Sequence, residues 1–292
     1  MRTRFWTSLM AMAAVGAFLH LAPVVAAGQA TEATQATPTK AAATWVLPRT
    51  PDGQPDIRGY WGQRNNITTY SMQEGVADRA EHIRMSGQAP ALGHPIKDPA
   101  DEKIPYQPWA AKKAALHHDV HRSPSKPELL DPVTRGFLEG VPRINLQGGF
   151  QITQYPGTVV ILHDYGHTYR VIPLDGRPHL GQNVKLWMGD SRGHWEGNTL
   201  VVDVTNNNDQ TWFDIVGSFH SDALHMVERW TYVAQDRIDY EVTIEDPKVF
   251  TRPWKMGWNY GRNPTEEQWE NAVWEGNHAT GVILGNLETG KK

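Results

Sequence analysis

Residues 223–245 read ALHMVERWTYVAQDRIDYEVTIE, and their period decides the fold. Ile238, Tyr240, Val242 and Ile244 alternate with Asp239, Glu241 and Thr243, the pattern of a strand with one face buried and one wet. The same chemistry recurs over 150–155, 158–164, 167–174 and 199–205, and over 223–233 within the quoted stretch. Short connections join these runs at Pro156-Gly157, Glu196-Gly197-Asn198 and Ala234-Gln235-Asp236. Tight turns between neighbouring strands mean antiparallel hairpins, because parallel strands need long crossovers. A long antiparallel meander hides its edges by closing or curling. The expected fold is therefore mainly β: a meander closed or curled into a lipocalin-like barrel.

Working outward, 246–260 adds one or two strands carrying Trp254 and Trp258, and Thr265-Glu266-Glu267-Gln268 fits a capping box opening a short helix through 274. The barrel domain with its C-terminal helix is thus placed at 149–292. Before it, 45–148 reads as an irregular arm with short helices packed on the body. Pro48, Pro51, Pro55 and Asp52-Gly53 are turn chemistry, a helix is expected over 71–85, and another over 109–121. In the latter His117 and His121 lie one turn apart on one face, which is metal-ligand geometry.

The start of the chain has a different composition. MRTRFW is basic, TSLMAMAAVGAFLHLAPVVA is apolar and ends in small residues, and the two together read as a signal peptide over 1–27. An Ala/Thr-rich leader over 28–44 lacks the large apolar side chains needed to offset ordering entropy. The expectation is a protein exported to the periplasm or secreted, with no membrane association after cleavage. Zero cysteines exclude disulfides, thiol nucleophiles and thiolate metal sites. A net charge of −4 with both signs interspersed excludes a basic face for nucleic acid. Twelve tryptophans suit a core, or stacking against a sugar or aromatic ligand.

Ionisable chemistry concentrates at 159–231. His163 and His167 bracket Asp164-Tyr165-Gly166, and a three-residue hairpin loop would bring the two imidazoles face to face. His194 and Glu196 are two apart and share one side of a strand end. His220, Asp222 and His225 follow in a third polar turn. Glu228 has the parity of Met226 and Trp230 and so should face away from His225. His163, His167, His194, His220 and His225 are the candidate metal ligands, for a divalent transition metal with Zn or Cu ahead of Fe. Asp222, Glu196, Glu228 and Tyr165 are the candidate acid–base groups. His179, in a loop beside Pro178, is left aside.

Several stretches resemble a large family of exported bacterial proteins. PRTPDGQPDIRGYW at 48–61, IPYQPWA at 104–110, DPVTRGFLEGVPRI at 131–144, WMGDSRGHWEGNTLVVDV at 187–204 and HSDALHMVERW at 220–230 carry the likeness. Gly136 stands where that family's DPxxRCxxxGVPR pattern has cysteine. The resemblance implies export but attaches no activity. The residues themselves suggest an exported enzyme acting on a small aromatic or carbohydrate-type molecule by metal-assisted or His/carboxylate chemistry. The alternative is a lipocalin-like carrier of a small-molecule ligand. The oligomeric state is not legible.

Overall fold

The computed structural model describes residues 45–64, 69–73, 76–86 and 95–269. The expected signal peptide, the leader up to residue 44, and the part of the expected C-terminal helix beyond 269 lie outside the described residues; its expected first turn, 265–269, is turn and coil rather than helix. In chain order the strands are β1 (Gly59–Gln63), β2 (Ile96–Asp98), β3 (Gly149–Tyr155), β4 (Thr158–His163), β5 (Tyr169–Pro173), β6 (Asp190–Glu196), β7 (Thr199–Thr205), β8 (His225–Ala234), β9 (Arg237–Glu245) and β10 (Trp254–Arg262). Two helices, α1 (Val76–Ser86) and α2 (Pro108–Val120), precede the main run of strands. The fold is mainly antiparallel β, a nearly closed barrel with few short helices.

The alternation quoted first does what its period demands. On β9 Ile238, Tyr240, Val242 and Ile244 are buried while the residues between them meet solvent, and β8 buries Met226, Glu228, Trp230 and Tyr232 in register beside them. Inside, Trp230 stacks on Tyr260 at 5.3 Å between ring centroids, and Phe150 meets both rings edge-on. Such offset and edge contacts satisfy the ring quadrupoles better than face-to-face stacks.

Neighbours in the sheet run β5-β4-β3-β1-β10-β9-β8-β7-β6, every adjacent pair antiparallel, with β2 paired beside the start of β10. The arm is thus more than packing: β1 is the strand joining β3 to β10. Local reading missed it because GYWGQ shows no clean alternation.

An odd number of strands alternating in direction leaves the two end strands, β5 and β6, pointing the same way. An antiparallel ladder therefore cannot close this seam. The long crossover 174–189 fits, since strands running the same way need about a dozen connecting residues or more. Side chains do the joining instead. Gly193 lets β6 approach: a Cβ there would fall 2.7 Å from Ile172 and 2.8 Å from Leu174. Arg170 of β5 reaches through the interior to Ser191 of β6 at 3.0 Å and grips Glu228 of β8 with two bonds, 3.1 and 2.5 Å. Both charges are buried, so each needs the other.

Removing one partner should therefore cost far more than removing both. Glu228→Ala or Arg170→Ala is expected to lower unfolding free energy by about 3–5 kcal/mol, read from urea denaturation, while Arg170→Met with Glu228→Leu recovers much of the loss. Single variants within ~1 kcal/mol of wild type would contradict a seam held by this pair.

Candidate functional site

One end of the barrel is plugged by a 3-10 turn, Arg143–Leu146, that follows the Pro- and Gly-punctuated segment read as a structured loop. Its side chains work in opposite directions. Asn145 points inward, where its side-chain amide nitrogen donates to Glu228 Oε1 at 2.9 Å, and its main-chain carbonyl accepts from the Tyr260 hydroxyl at 2.9 Å. Tyr240 donates to the same Glu228 oxygen at 2.8 Å. Glu228 thus gathers Arg170, Asn145 and Tyr240, which satisfies a fully buried carboxylate. Burial lifts the Tyr240 hydroxyl well above its usual range, with the Glu228 charge adding to the effect, so it stays a donor.

Arg143 turns the other way and clamps Asp131 with two bonds of 2.8 and 2.9 Å. That bidentate pair uses up the cation. Glu139, only 2 % exposed, is left as the second carboxyl in the same neighbourhood. Burial pushes its pKa up to about 8, against the pull of Arg143 and with the help of the Asp131 charge. At neutral pH it is a carboxylic acid. The Gln147 carboxamide lies against it; with the amide nitrogen turned inward, Gln147 donates to Glu139 Oε2 at 3.1 Å. The half-buried hydroxyl of Tyr165 is raised first by burial and then by Glu139, which places it within reach of that carboxyl's field.

Next to this end lies His163, the last residue of β4 and 2 % exposed. It is paired with Phe150 across the sheet, and both of its ring nitrogens lack a hydrogen-bond partner. Burial and then the Arg170 charge depress its pKa to about 3, so the ring is neutral at any working pH. It can donate one hydrogen bond and accept one, but it is no general base at neutral pH.

The expected meeting of His163 and His167 does not occur. Leu162 pairs with Tyr169 and the His163 amide donates to Thr168, so the loop runs over 164–168 rather than 164–166. Positive φ at Gly166 and His167 makes the wider turn. His163 ends inside and His167 outside. His194 and Glu196 do lie together, 3.1 Å apart, but on the exposed outer face, where Arg229 also binds Glu196 at 2.8 Å. His220 is buried between the Thr211 hydroxyl at 2.7 Å and the Ser221 carbonyl at 2.9 Å. Asp222 sits at the surface on Lys248, 2.6 Å away. His225 faces outward and meets Asp203 at 3.0 Å, opposite in parity to Glu228 as its strand period requires.

On α2 the two histidines part. His117 stacks on Trp212 and meets the Gly217 carbonyl, whereas His121 meets the Tyr70 hydroxyl. Among the described residues no three or more His, Asp or Glu side chains are grouped so as to hold a metal ion. The five candidate ligands occupy separate surroundings. Of the expected residues, Tyr165, Glu228 and His163 lie at the plugged end or in the interior beside it, and buried His220 lies close by through Thr211, which packs against Gly140.

Sequence reading missed Glu139, Arg143, Asn145 and Arg170. Arg170 had a usable signal: it shares strand parity with buried Ile172, as Glu228 does with Met226 and Trp230. Two ionisable residues at core parity invite pairing. Glu139 had none, because its burial depends on a plug formed by tertiary packing. Comparison with known protein families, curated proteins and solved structures finds no match for this chain.

The raised Glu139 pKa fixes a pH signature. The folded state keeps a proton that the unfolded state releases near pH 4.5, so stability falls as pH rises from that value towards 8, by up to ~5 kcal/mol. Denaturation midpoints across pH 4–9 are expected to show this slope in the wild type. Glu139→Gln should flatten it and be the more stable protein at pH 8–9.

Proposed function

We propose that this is an exported enzyme that moves a proton on a small aromatic or carbohydrate-type molecule bound at the plugged end of the barrel. The carrying observation is Glu139: a buried carboxylic acid beside the half-exposed Tyr165, with its nearest cation already engaged by Asp131. A proton donor must keep its proton at working pH, and burial without a free counter-charge achieves that. Tyr165 feels the field of this acid and is partly open to solvent, which suits a group that orients a substrate hydroxyl or carbonyl. Of the two chemistries expected from sequence, the geometry supports the acid–base form. The metal-assisted form needed histidines that converge, and these stand apart. Export is supported by the basic, apolar and small-residue order of the first residues, and by the likeness to exported bacterial proteins in the motifs quoted above. Among the described residues no helix is long and apolar enough to cross a membrane.

A second reading, a barrel that carries a small ligand without converting it, is favoured by a separate observation. His163 has two buried ring nitrogens without partners, and Asn145 Oδ1 and the Trp230 indole nitrogen are likewise unpartnered. Buried polar atoms ordinarily find a partner, and a bound molecule can supply one.

Turnover separates the two. Small aromatic and carbohydrate-type compounds that raise the melting temperature would be incubated with purified protein and followed by mass spectrometry. An enzyme converts one of them catalytically, whereas a carrier returns it unchanged. On a converted substrate, Glu139→Gln is expected to lower kcat about 100-fold or more with binding retained, Tyr165→Phe to lower it less, and wild-type kcat to fall above pH 8. Undiminished turnover by Glu139→Gln would remove this residue from the chemistry.

A further inference from the structure

The crossover 174–189, which links the two seam strands, lies over the outer face of β6 and β7. Asp190 points outward yet is only 8 % exposed, because this segment covers it. His179, on the crossover, contacts carboxylates through both ring nitrogens: Nδ1 is 2.8 Å from Asp190 Oδ2 and Nε2 is 2.9 Å from Asp203 Oδ1. The other Asp203 oxygen is 3.0 Å from His225 Nε2, and His225 Nδ1 stands 3.8 Å from Glu245. Arg192 closes the row, bonding Asp190 at 2.6 Å and the Pro178 carbonyl at 3.1 Å. A continuous line of alternating sign therefore crosses four strands and the crossover.

We infer that His179, together with His225, is a proton-dependent clasp that fastens the start of the crossover over the barrel seam when both rings are charged and loosens it when they are not. Hydrogen-bond inventory demands this. A neutral imidazole has one N–H and one lone pair, so neutral His179 would turn a lone pair on a carboxylate; only the imidazolium donates to both Asp190 and Asp203. Charge balance agrees. Asp190, Asp203 and Glu245 are matched by Arg192 and two charged rings, and are left in excess when the rings lose their protons. The remaining charges nearby are already paired: Lys185 with Asp222, and Arg177 with Asp175.

The sign follows from the partners. The hydrogen bond that His225 donates to the Asp203 carboxylate raises the His225 pKa above its usual 6.5, and burial opposes it. Its contribution is complete below the unfolded value and is lost as pH rises through the folded one. Asp203 is held below its usual 3.8, mainly by His225, so its contribution is lost only in stronger acid. The clasp is therefore closed in mild acid and opens as pH rises through the raised His225 value.

The crossover carries its own control. From Gly181 onward it is held by the Asn206 amide, which donates to the Gly181 and Val184 carbonyls, both at 2.9 Å, and to the Leu180 carbonyl at 3.3 Å, and by the Leu186 amide donating to Asn206 O at 2.8 Å. No ionisable side chain takes part in these bonds. The Leu180 amide, in contrast, donates to Asp190 at 3.0 Å, inside the clasp.

Amide hydrogen exchange of the full chain, resolved by NMR at pH 5.5 and 8 with chelator present and corrected for intrinsic rates, reads both halves at once. Protection at Leu180 is expected to fall about tenfold at the higher pH, the scale of one charge-assisted bond, while Leu186 stays unchanged. His179→Gln should give low protection at Leu180 at both pH values. Equal protection of wild-type Leu180 at both pH values, a parallel change at Leu186, or an unaltered pH response in His179→Gln would overturn the clasp. None of these outcomes depends on the role of Glu139.

Discussion

A sheet of antiparallel neighbours with an odd number of strands around it brings two like-directed strands to its seam, here β5 and β6, which no backbone ladder joins, and the rest of this structure depends on how that seam is held. The buried Arg170–Glu228 pair is the main answer. It ties β5 to β8 across the interior, with Ser191 of β6 drawn in, at a seam that no ladder bridges. Burying two charges is costly, and here the cost is offset by bidentate geometry and by further donors from Asn145 and Tyr240. Closure by side chains makes the seam specific in register but dependent on a few atoms.

The same pair fixes the plug. Asn145 reaches Glu228 only because its 3-10 turn lies across the barrel end, and the Tyr260 hydroxyl holds that turn by its carbonyl. Arg143, two residues earlier, then faces Asp131 and the segment carrying Glu139. Seam, plug and buried acid form one connected arrangement. A carboxyl in this position stays protonated because burial penalises its charge by more than Arg143, already bound to Asp131, relieves it. The acid–base chemistry proposed for the site is thus a consequence of closing the barrel.

Much of the fold was legible in the sequence. Alternation marked β9 and β8 within a residue or two, and Pro156-Gly157 and Gly197-Asn198 fall at the turns between β3 and β4 and between β6 and β7. The strand of the arm was not legible, since its five residues include two glycines and have no period to read. Of the candidate site, Tyr165, Glu228 and His163 were named from sequence, but in the wrong company. His163 was paired with His167 on an assumed three-residue loop, and a wider turn separated them. His179 was dropped as a loop residue, yet it contacts two carboxylates from different strands.

The sequence by itself determined which residues face inward. Side-chain alternation is set by backbone geometry one residue at a time, so His225 and Glu228 were apart before any strand had a partner. Only the tertiary structure decided which inward-facing residues meet. Arg170 and Glu228 are 58 positions apart, and Asn145 and Glu228 83. Their contact depends on strand order, on the parity of the closed sheet and on the plug, none of which is local. The same holds for the chemistry. A glutamate's type is written in the chain, but its protonation at neutral pH is a property of the space that forms around it.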